Sequence, residues 1–267
     1  MSTILVTAAG GTIGRRLVPL LRRPGTTVRT YDRTADLDPQ LRGVDAVFLA
    51  CPNVADQVPF ECAVIDAAAR ARVGRLVTLS ARGAAVGSPV AFWDWHARIE
   101  QHLAGSGIPA VVLRPGFSMT NLLGSADPVR HAGVLPVPGG VARIAMIDPA
   151  DVAAAAAAAL GDRTALGAYE LTGSVAVGFA EVAAALTAVL GRPVAYVDVP
   201  PDQAGPAMVS AGLPPFAAEQ IGRVFAALRG GAQAEVIGDV EQLIGRPART
   251  VQEFLAVHAE VFAAEAA

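Results

Sequence analysis

The stretch that most constrains this chain is residues 4–14, ILVTAAGGTIG. Ile4, Leu5 and Val6 form a short apolar run of strand character. A glycine-rich turn follows, and Thr12 opens a segment whose Ile13, Leu17, Leu20 and Leu21 share one face of a 3.6-residue period. Strand, glycine turn and helix in that order open the βαβ units that bind dinucleotides. The chemistry explains the form. A pyrophosphate requires backbone N–H donors at close range and the positive end of a helix dipole, and glycine removes the Cβ that would hold it off. The spacing is Ala8-x-x-Gly11-x-x-Gly14, with Gly10 as an extra glycine. Ala8 stands where the first glycine is usual, and its methyl is tolerated if φ stays negative there. The turn residues expected to meet a cofactor are Thr7, Ala9, Gly11, Thr12, Ile13 and Gly14. Such turns also join strands to helices in proteins that bind nothing, so the rest of the chain has to decide.

Downstream, short apolar runs alternate with helical patterns. Residues 28–31 read as a second strand, 45–50 as a third, 75–79 as a fourth and 109–113 as a fifth, with helices over 57–72 and 92–103 between them. That alternation specifies a doubly wound parallel α/β sheet. Ligands of such sheets sit beyond the C-terminal strand ends, which singles out the residues there. Asp32 follows the second strand, near where an acid takes the ribose hydroxyls of NAD. Arg33 follows at once, where a guanidinium pairs with the 2′-phosphate of NADP. A solvated Asp-Arg turn is the plain alternative. Ala50, Cys51 and Pro52 end the third strand and are candidate adenosine contacts. Ser80 ends the fourth, and Pro115, Gly116 and Phe117 follow the fifth.

Past Phe117 the pattern loosens. Residues 118–141 are rich in Gly and Pro with little periodicity, the mark of a lid or binding loop, or else of disorder. Residues 142–147 read as a strand. Asp148 and Asp151 are placed to cap a helix running through seven alanines, Ala153 to Ala159. Residues 169–172 read as a strand joining the sheet, 179–190 as a helix, 194–199 as extended, 200–218 as short proline-broken helices and 251–262 as a closing helix. The domain reading is a dinucleotide-binding core over 1–150 and a small C-terminal α/β substrate region over 151–267.

Composition narrows the function. The chain is 267 residues long with a net charge of −3, and no basic run exceeds an Arg pair, so nothing points to nucleic acid or an anionic membrane. No apolar stretch reaches the roughly 18 residues of a membrane span, and no signal peptide is evident. Cys51 and Cys62 have no metal spacing, so no metal is expected, and a cytoplasmic setting keeps them reduced. All 21 basic residues are Arg. Without a single lysine, Schiff-base chemistry and any Tyr-x-x-x-Lys pair are excluded.

Taken in order, these residues resemble the NmrA-like branch of the atypical short-chain dehydrogenase/reductase superfamily, and its quinone-reductase-like subgroup most. The resemblance rests on VTAAGGTIG at 6–14, His96-Ala-Arg-Ile-Glu100, Ser106-Gly107, Leu113-Arg114-Pro115-Gly116-Phe117 and Asn121. It continues through Ile147-Asp148 to Asp151-Val152-Ala153, Tyr169-Glu-Leu-Thr-Gly173 and Leu190-Gly191-Arg192. It implies a Rossmann-type domain binding NAD(P)H, with NADPH favoured by Arg33 and Asp32 unusual for that choice. It also implies that Phe92-x-x-x-His96 occupies the positions of the superfamily's Tyr-x-x-x-Lys pair. Phe cannot donate a proton. Quinone-type acceptors escape that problem, because they take hydride directly and yield a stable oxyanion.

Two residues are therefore candidates for catalysis, His96 and Ser80. His96 falls on the apolar stripe of its helix with Phe92, Trp95, Ile99 and Leu103, so a core role competes with proton transfer; Glu100 is placed to orient it. Asp94 reads as outward-facing. Trp93 and Trp95 are either core or stacking surfaces for an aromatic acceptor. The leading expectation is an NAD(P)H-dependent reductase of a quinone or related conjugated aromatic carbonyl, cytoplasmic, monomeric or homodimeric. The alternatives are a non-catalytic NAD(P) sensor and a tailoring enzyme that reduces or isomerises one secondary metabolite.

Overall fold

A computed structural model describes residues 2–263. In chain order the strands are β1 (Ser2–Val6), β2 (Thr26–Thr30), β3 (Ala46–Leu49), β4 (Arg75–Leu79), β5 (Ala110–Pro115), β6 (Val134–Val137), β7 (Gly167–Leu171) and β8 (Ala195–Asp198). The helices are α1 (Gly14–Leu21), α2 (Leu37–Leu41), α3 (Gln57–Arg70), α4 (Ala91–Gly105), α5 (Ala126–Ala132) and α6 (Pro149–Gly161). They continue with α7 (Phe179–Leu190), α8 (Pro201–Ser210), α9 (Pro215–Arg229), α10 (Asp239–Ile244), α11 (Val251–Val257) and α12 (Ala259–Phe262).

The chain forms two compact units and crosses between them more than once. The first takes the segment ending at Pro115 together with Pro149–Leu171 and Gly238–Pro247; the second takes Gly116–Asp148, Thr172–Ile237 and the segment from Ala248 on. This partition is not the single boundary at 150 read from the sequence. The alanine-rich α6 and the strand β7 return to the first unit, because β7 pairs with β5 at the edge of its sheet and α6 covers a face of it.

In the first unit six strands lie parallel in the order β2-β1-β3-β4-β5-β7, an α/β Rossmann-type doubly wound sheet. Strand alternation splits its apolar residues between two faces. Leu5, Val47, Leu49 and Leu76 pack with Val64 and Ile65 of α3 and Ile99 and Leu103 of α4. The opposite face lies under α6, which packs on β3, β4, β5 and α1. Ala153, Ala155, Ala156 and Ala159 of α6 are fully buried, since methyl side chains let a helix approach a sheet closely.

The second unit has its own core, with Phe117, Leu135, Ile144, Phe179, Leu186 and Phe254 among its buried side chains, and a two-stranded parallel sheet of β6 and β8. The segment 118–141 is not a loose loop. It holds a 3-10 turn over Met119–Ser125, then α5 and β6. Met119, Leu122, Ala126 and Val129 are buried at helical spacing, and Gly133 ends α5 at φ 65°. Residues 142–147 make isolated bridges rather than a strand, Ser118 to Ile147 and Ile144 to Val177. The closing helix divides into α11 and α12 at His258, whose Nδ1–H donates to the Phe254 carbonyl at 2.8 Å.

Candidate active site

Along the sheet of the first unit, β1 has β2 on one side and β3 on the other. The chain thus leaves β1 in one direction and later continues in the other, which makes the C-terminal ends of β1 and β3 the switch point where sheets of this kind bind ligands. Thr7 ties the two ends together: its hydroxyl donates to the Ala50 carbonyl at 2.7 Å and accepts from the Ala50 amide at 2.9 Å.

The turn between β1 and α1 has the construction of an anion cradle. A Cβ at Gly14 would stand 1.9 Å from the Ala8 carbonyl oxygen, so only glycine allows the turn to close on itself. Ala8 is not among the positive-φ residues, which is why its methyl is accommodated. The start of α1 has no side-chain cap and no acid in its first turn; Arg15 and Arg16 stand there instead. Among the described residues, the amides of Thr12, Ile13 and Gly14 meet no backbone acceptor. An uncapped, acid-free helix start with exposed Gly10, Gly11 and Thr12 in front of it suits a pyrophosphate.

The loop after β2 carries the ribose-side candidates. Asp32 accepts from the Thr34 amide at 2.8 Å and its hydroxyl at 2.7 Å, and these bonds hold its carboxyl below the usual range. The Arg33 guanidinium lies 4.5 Å from the centre of the Phe60 ring, 3.5 Å from Asp56 and 4.0 Å from Cys51 Sγ. It is half-exposed, braced against the loop after β3 and still open to an incoming phosphate. Cys51 and Pro52 lie in that loop. Burial, then the nearby Glu61, push the Cys51 thiol up to about 11, so it is no ready nucleophile. These residues fit NAD(P)H: donors for the pyrophosphate, and an acid and a guanidinium at the ribose position.

Ser80 heads a polar row across the strand ends. Its hydroxyl donates to Glu100 Oε1 at 2.5 Å. Arg114 on β5 grips the same carboxylate at two points, 2.9 and 2.5 Å, and reaches Glu170 on β7 at 3.3 Å. Arg82 stands 3.6 Å from the other Glu170 oxygen, an ion pair too long for a hydrogen bond. The Glu100 bonds, against the cost of burial, raise the Arg114 pKa further. With its only proton committed to Glu100, the Ser80 oxygen is left to accept from a ligand.

His96 is buried on α4, as the stripe predicted, yet Glu100 does not orient it. Glu100 is taken by Arg114 and Ser80, and the neighbour of His96 Nδ1 is Gln57 Nε2, 3.5 Å away. Burial, opposed by the charge of Glu100, pulls the imidazole down to about 4. Asp94 corrects the expectation of an outward side chain. It is buried, accepts from the Gly87 amide at 2.8 Å and pairs with Arg98 at 2.7 Å, pinning the loop after β4. The Trp93 ring lies against Gly83, where a Cβ would come within 2.9 Å of it. Pro115 ends β5 in the first unit, whereas Gly116 and Phe117 belong to the second. There the Phe117 ring meets those of Phe225 and Phe179 edge-on, and its amide donates to Gln233 Oε1 at 2.7 Å. Asp151 is fully buried and paired with Arg246 at 2.6 Å; Asp148 lies 3.4 Å from Arg249.

Sequence reasoning passed over Gln57, Glu61, Arg82, Arg114 and Glu170. Glu61 carried a visible signal: with Val64, Ile65 and Ala68 it occupies the buried side of α3, an acid where the period calls for an apolar residue. Among the described residues no helix is long and apolar enough to cross a membrane, and no His, Cys, Asp and Glu group is arranged to hold a metal.

Comparison with known proteins places this geometry. The pattern defining the NmrA-like family matches residues 30–255. An NAD(P)H azoreductase of Xenophilus azovorans is 37% identical over 98% of this chain and 99% of its own. A (4-alkanoyl-5-oxo-2,5-dihydrofuran-3-yl)methyl phosphate reductase of Streptomyces griseus is 38% identical over 98% of this chain and 100% of its own. Among solved structures, an NADPH-dependent quinone oxidoreductase of Escherichia coli complexed with NADPH superposes with a TM-score of 0.84. It is 29% identical, over 96% of this chain and 99% of that one.

Proposed function

This chain belongs to the NmrA-like family, and from that premise we propose that it transfers hydride from NAD(P)H, NADPH foremost, to a quinone, azo or similarly conjugated small acceptor. It is an NAD(P)H-dependent oxidoreductase. The observation that carries the reading is the start of α1, uncapped, free of acid and closed by Gly14 against Ala8. The dinucleotide supplies a hydride when bound; the protein's part is to hold it and the acceptor in line and to keep water out.

The residues present favour a conjugated acceptor over an isolated ketone. Position 92 is Phe, there is no lysine, and the Ser80 proton belongs to Glu100. No hydroxyl acid stands ready for an alkoxide of high pKa, whereas the anion of a reduced quinone is far less basic. The Streptomyces relative, by its name a reductase of a 2,5-dihydrofuranone, fits the same class of conjugated system. Ser80 accepts from a carboxamide or hydroxyl donor, and Arg33 pairs with the 2′-phosphate of NADPH. We assign the chain to the cytoplasm on the strength of its two free thiols, and take it to be a monomer or homodimer.

The test is oxidation of NADPH and NADH against a panel of quinones, azo dyes and unsaturated lactones. Turnover with at least one conjugated acceptor, faster with NADPH, is expected. Tight dinucleotide binding with no turnover on any acceptor contradicts the reading.

A further inference from the structure

The layer between α3 and α4 holds a polar group that the reduction as described does not use. Gln57 and Glu61 lie one turn apart on α3 with no solvent exposure, and His96 faces them from α4 at 7%. One amide nitrogen serves both neighbours: Gln57 Nε2 donates to Glu61 Oε1 at 3.0 Å and stands 3.5 Å from His96 Nδ1. Gln57 Oε1 and Glu61 Oε2 are buried without a hydrogen-bond partner among the described residues. Thr78 Oγ1 is a third such atom. It faces the same layer, because its register partner Leu49 and its strand neighbour Leu76 both pack under α3 and α4. Native interiors leave few polar atoms unsatisfied, and a concentration of them calls for a functional reason. Orphan oxygens of this kind recruit ordered water.

The charges around the trio do not neutralise Glu61. Cys62 sits beside it on α3, Cys51 faces it from the loop after β3, and Glu100 lies one turn beyond His96 on α4. Arg33 reaches Cys51 but pairs with Asp56, and on α2 Asp38 is taken by Arg70. Burial without a counter-charge favours the uncharged forms of acid and base alike. It lifts Glu61 to about 8, against the bond from Gln57, and lowers His96 to about 4. At neutral pH the trio is a carboxylic acid, an amide and a neutral imidazole.

We propose that Glu61 is the proton store of the reduction and that the His96 imidazole hands its proton on. His96 is one helical turn from Glu100, which holds Ser80 at the end of β4, so the ring lies next to the strand end where the acceptor is expected. The amide of Gln57 at Nδ1 places the ring proton on Nε2. The acceptor gains two electrons and one hydrogen as hydride and becomes an anion. As Nε2–H gives its proton to that anion, the long 3.5 Å contact of the Gln57 amide yields Nδ1 to the water that the orphan oxygens draw in, and through it Nδ1 takes the proton released when the O–H bond at Glu61 Oε2 breaks. An imidazolium, which burial disfavours, is never formed. Glu61 is left as a carboxylate and the ring as its Nδ1–H tautomer; before the next turnover Nε2 takes a proton from solvent as Nδ1 returns its own to Glu61.

The proposal rests on the reductase reading, and Glu61→Gln tests it separately. The substitution puts a neutral amide where a neutral acid stood, nearly isosteric, with N–H groups that hydrogen-bond but release no proton. Two measurements apply. In the protein without dinucleotide, infrared difference spectra across neutral to alkaline pH are expected to show an un-ionised carboxyl titrating near 8, present in the wild type and missing in the variant. In turnover, kcat of the wild type is expected to fall as pH rises through that value. In the variant kcat is lower by about tenfold or more, the pH limb is gone and NADPH affinity is unchanged. A variant that keeps both the wild-type kcat and the limb overturns the proposal, as does the absence of the carboxyl band. A wild type that binds NADPH and reduces no acceptor overturns the reductase reading and the proposal with it.

Discussion

Glu61 and Glu100 sit on neighbouring helices over one face of one sheet, and their surroundings are opposite. Glu100 has a two-point ion pair with Arg114 and a serine hydroxyl. Glu61 has one amide hydrogen bond and an orphan oxygen. The first arrangement fixes geometry: it locks β4, β5 and β7 together at their C-terminal ends and sets the direction of the Ser80 hydroxyl. The second leaves a proton available. A carboxyl group gains rigidity from a counter-charge and proton affinity from the lack of one, and this layer uses the first on α4 and the second on α3.

The contrast is broken most severely at Glu100. Glu100→Ala leaves Arg114 with Glu170 alone and Ser80 without its acceptor. A loss of about 2–3 kcal/mol is expected by urea denaturation, near the low end for a broken buried pair because Arg114 keeps 30% exposure. Glu61→Gln, by contrast, is expected to be no less stable than the wild type at neutral pH and more stable at pH 8, since unfolding lets Glu61 ionise and gives Gln no such gain.

The next effect is a pH dependence of stability. Glu61 keeps its proton in the folded chain up to about 8 and gives it up near 4.5 when unfolded, so its contribution falls as pH rises between those values. His96 acts in the opposite sense: unfolded it takes a proton below about 6.5, folded it refuses one down to about 4, so its contribution is lost as pH falls through that window. The two slopes offset one another below about 6.5, and Glu61 acts alone above it. The wild type is expected to lose about 2 kcal/mol between roughly pH 6.5 and 8, measured by denaturation at each pH, and Glu61→Gln is expected to abolish that loss.

The smallest effect is read at Cys51. Burial and then Glu61 raise its thiol to about 11. Removing the carboxylate is expected to speed Cys51 alkylation severalfold above pH 8, where Glu61 is charged, and to leave the rate unchanged near neutrality. Equal acceleration at both pH values would show that the substitution opened the loop rather than changed its charge.

What the sequence disclosed was local. The turn at residues 7–14 was legible because Gly14 answers to its own neighbours, with Ala8 six residues back. The strand read at 169–172, which runs over Gly167–Leu171, was legible from its apolar pattern. Residues 118–141 were not, because Gly and Pro obscured the helical spacing of Met119, Leu122, Ala126 and Val129. Ser80 was placed correctly at its strand end, but its commitment to Glu100 depends on β4 meeting α4, and the Arg114–Glu170 pair joins strands 56 residues apart. Asp94 misled because a polar residue near a helix start suggests solvent, whereas the Gly87 amide and Arg98 supply its partners inside. Glu61 was written on the buried side of α3 and passed over, since an acid at one apolar position is read as noise until its lack of a counter-charge is seen.

Hydride transfer within a bound pair is tested most directly with NADPH deuterated at the transferring C4 position, mixed in a single turnover with the best quinone or azo acceptor. A clearly slower loss of reduced-nicotinamide absorbance than with unlabelled NADPH is expected. An equal rate, or no loss with any acceptor while NADPH stays bound, contradicts it.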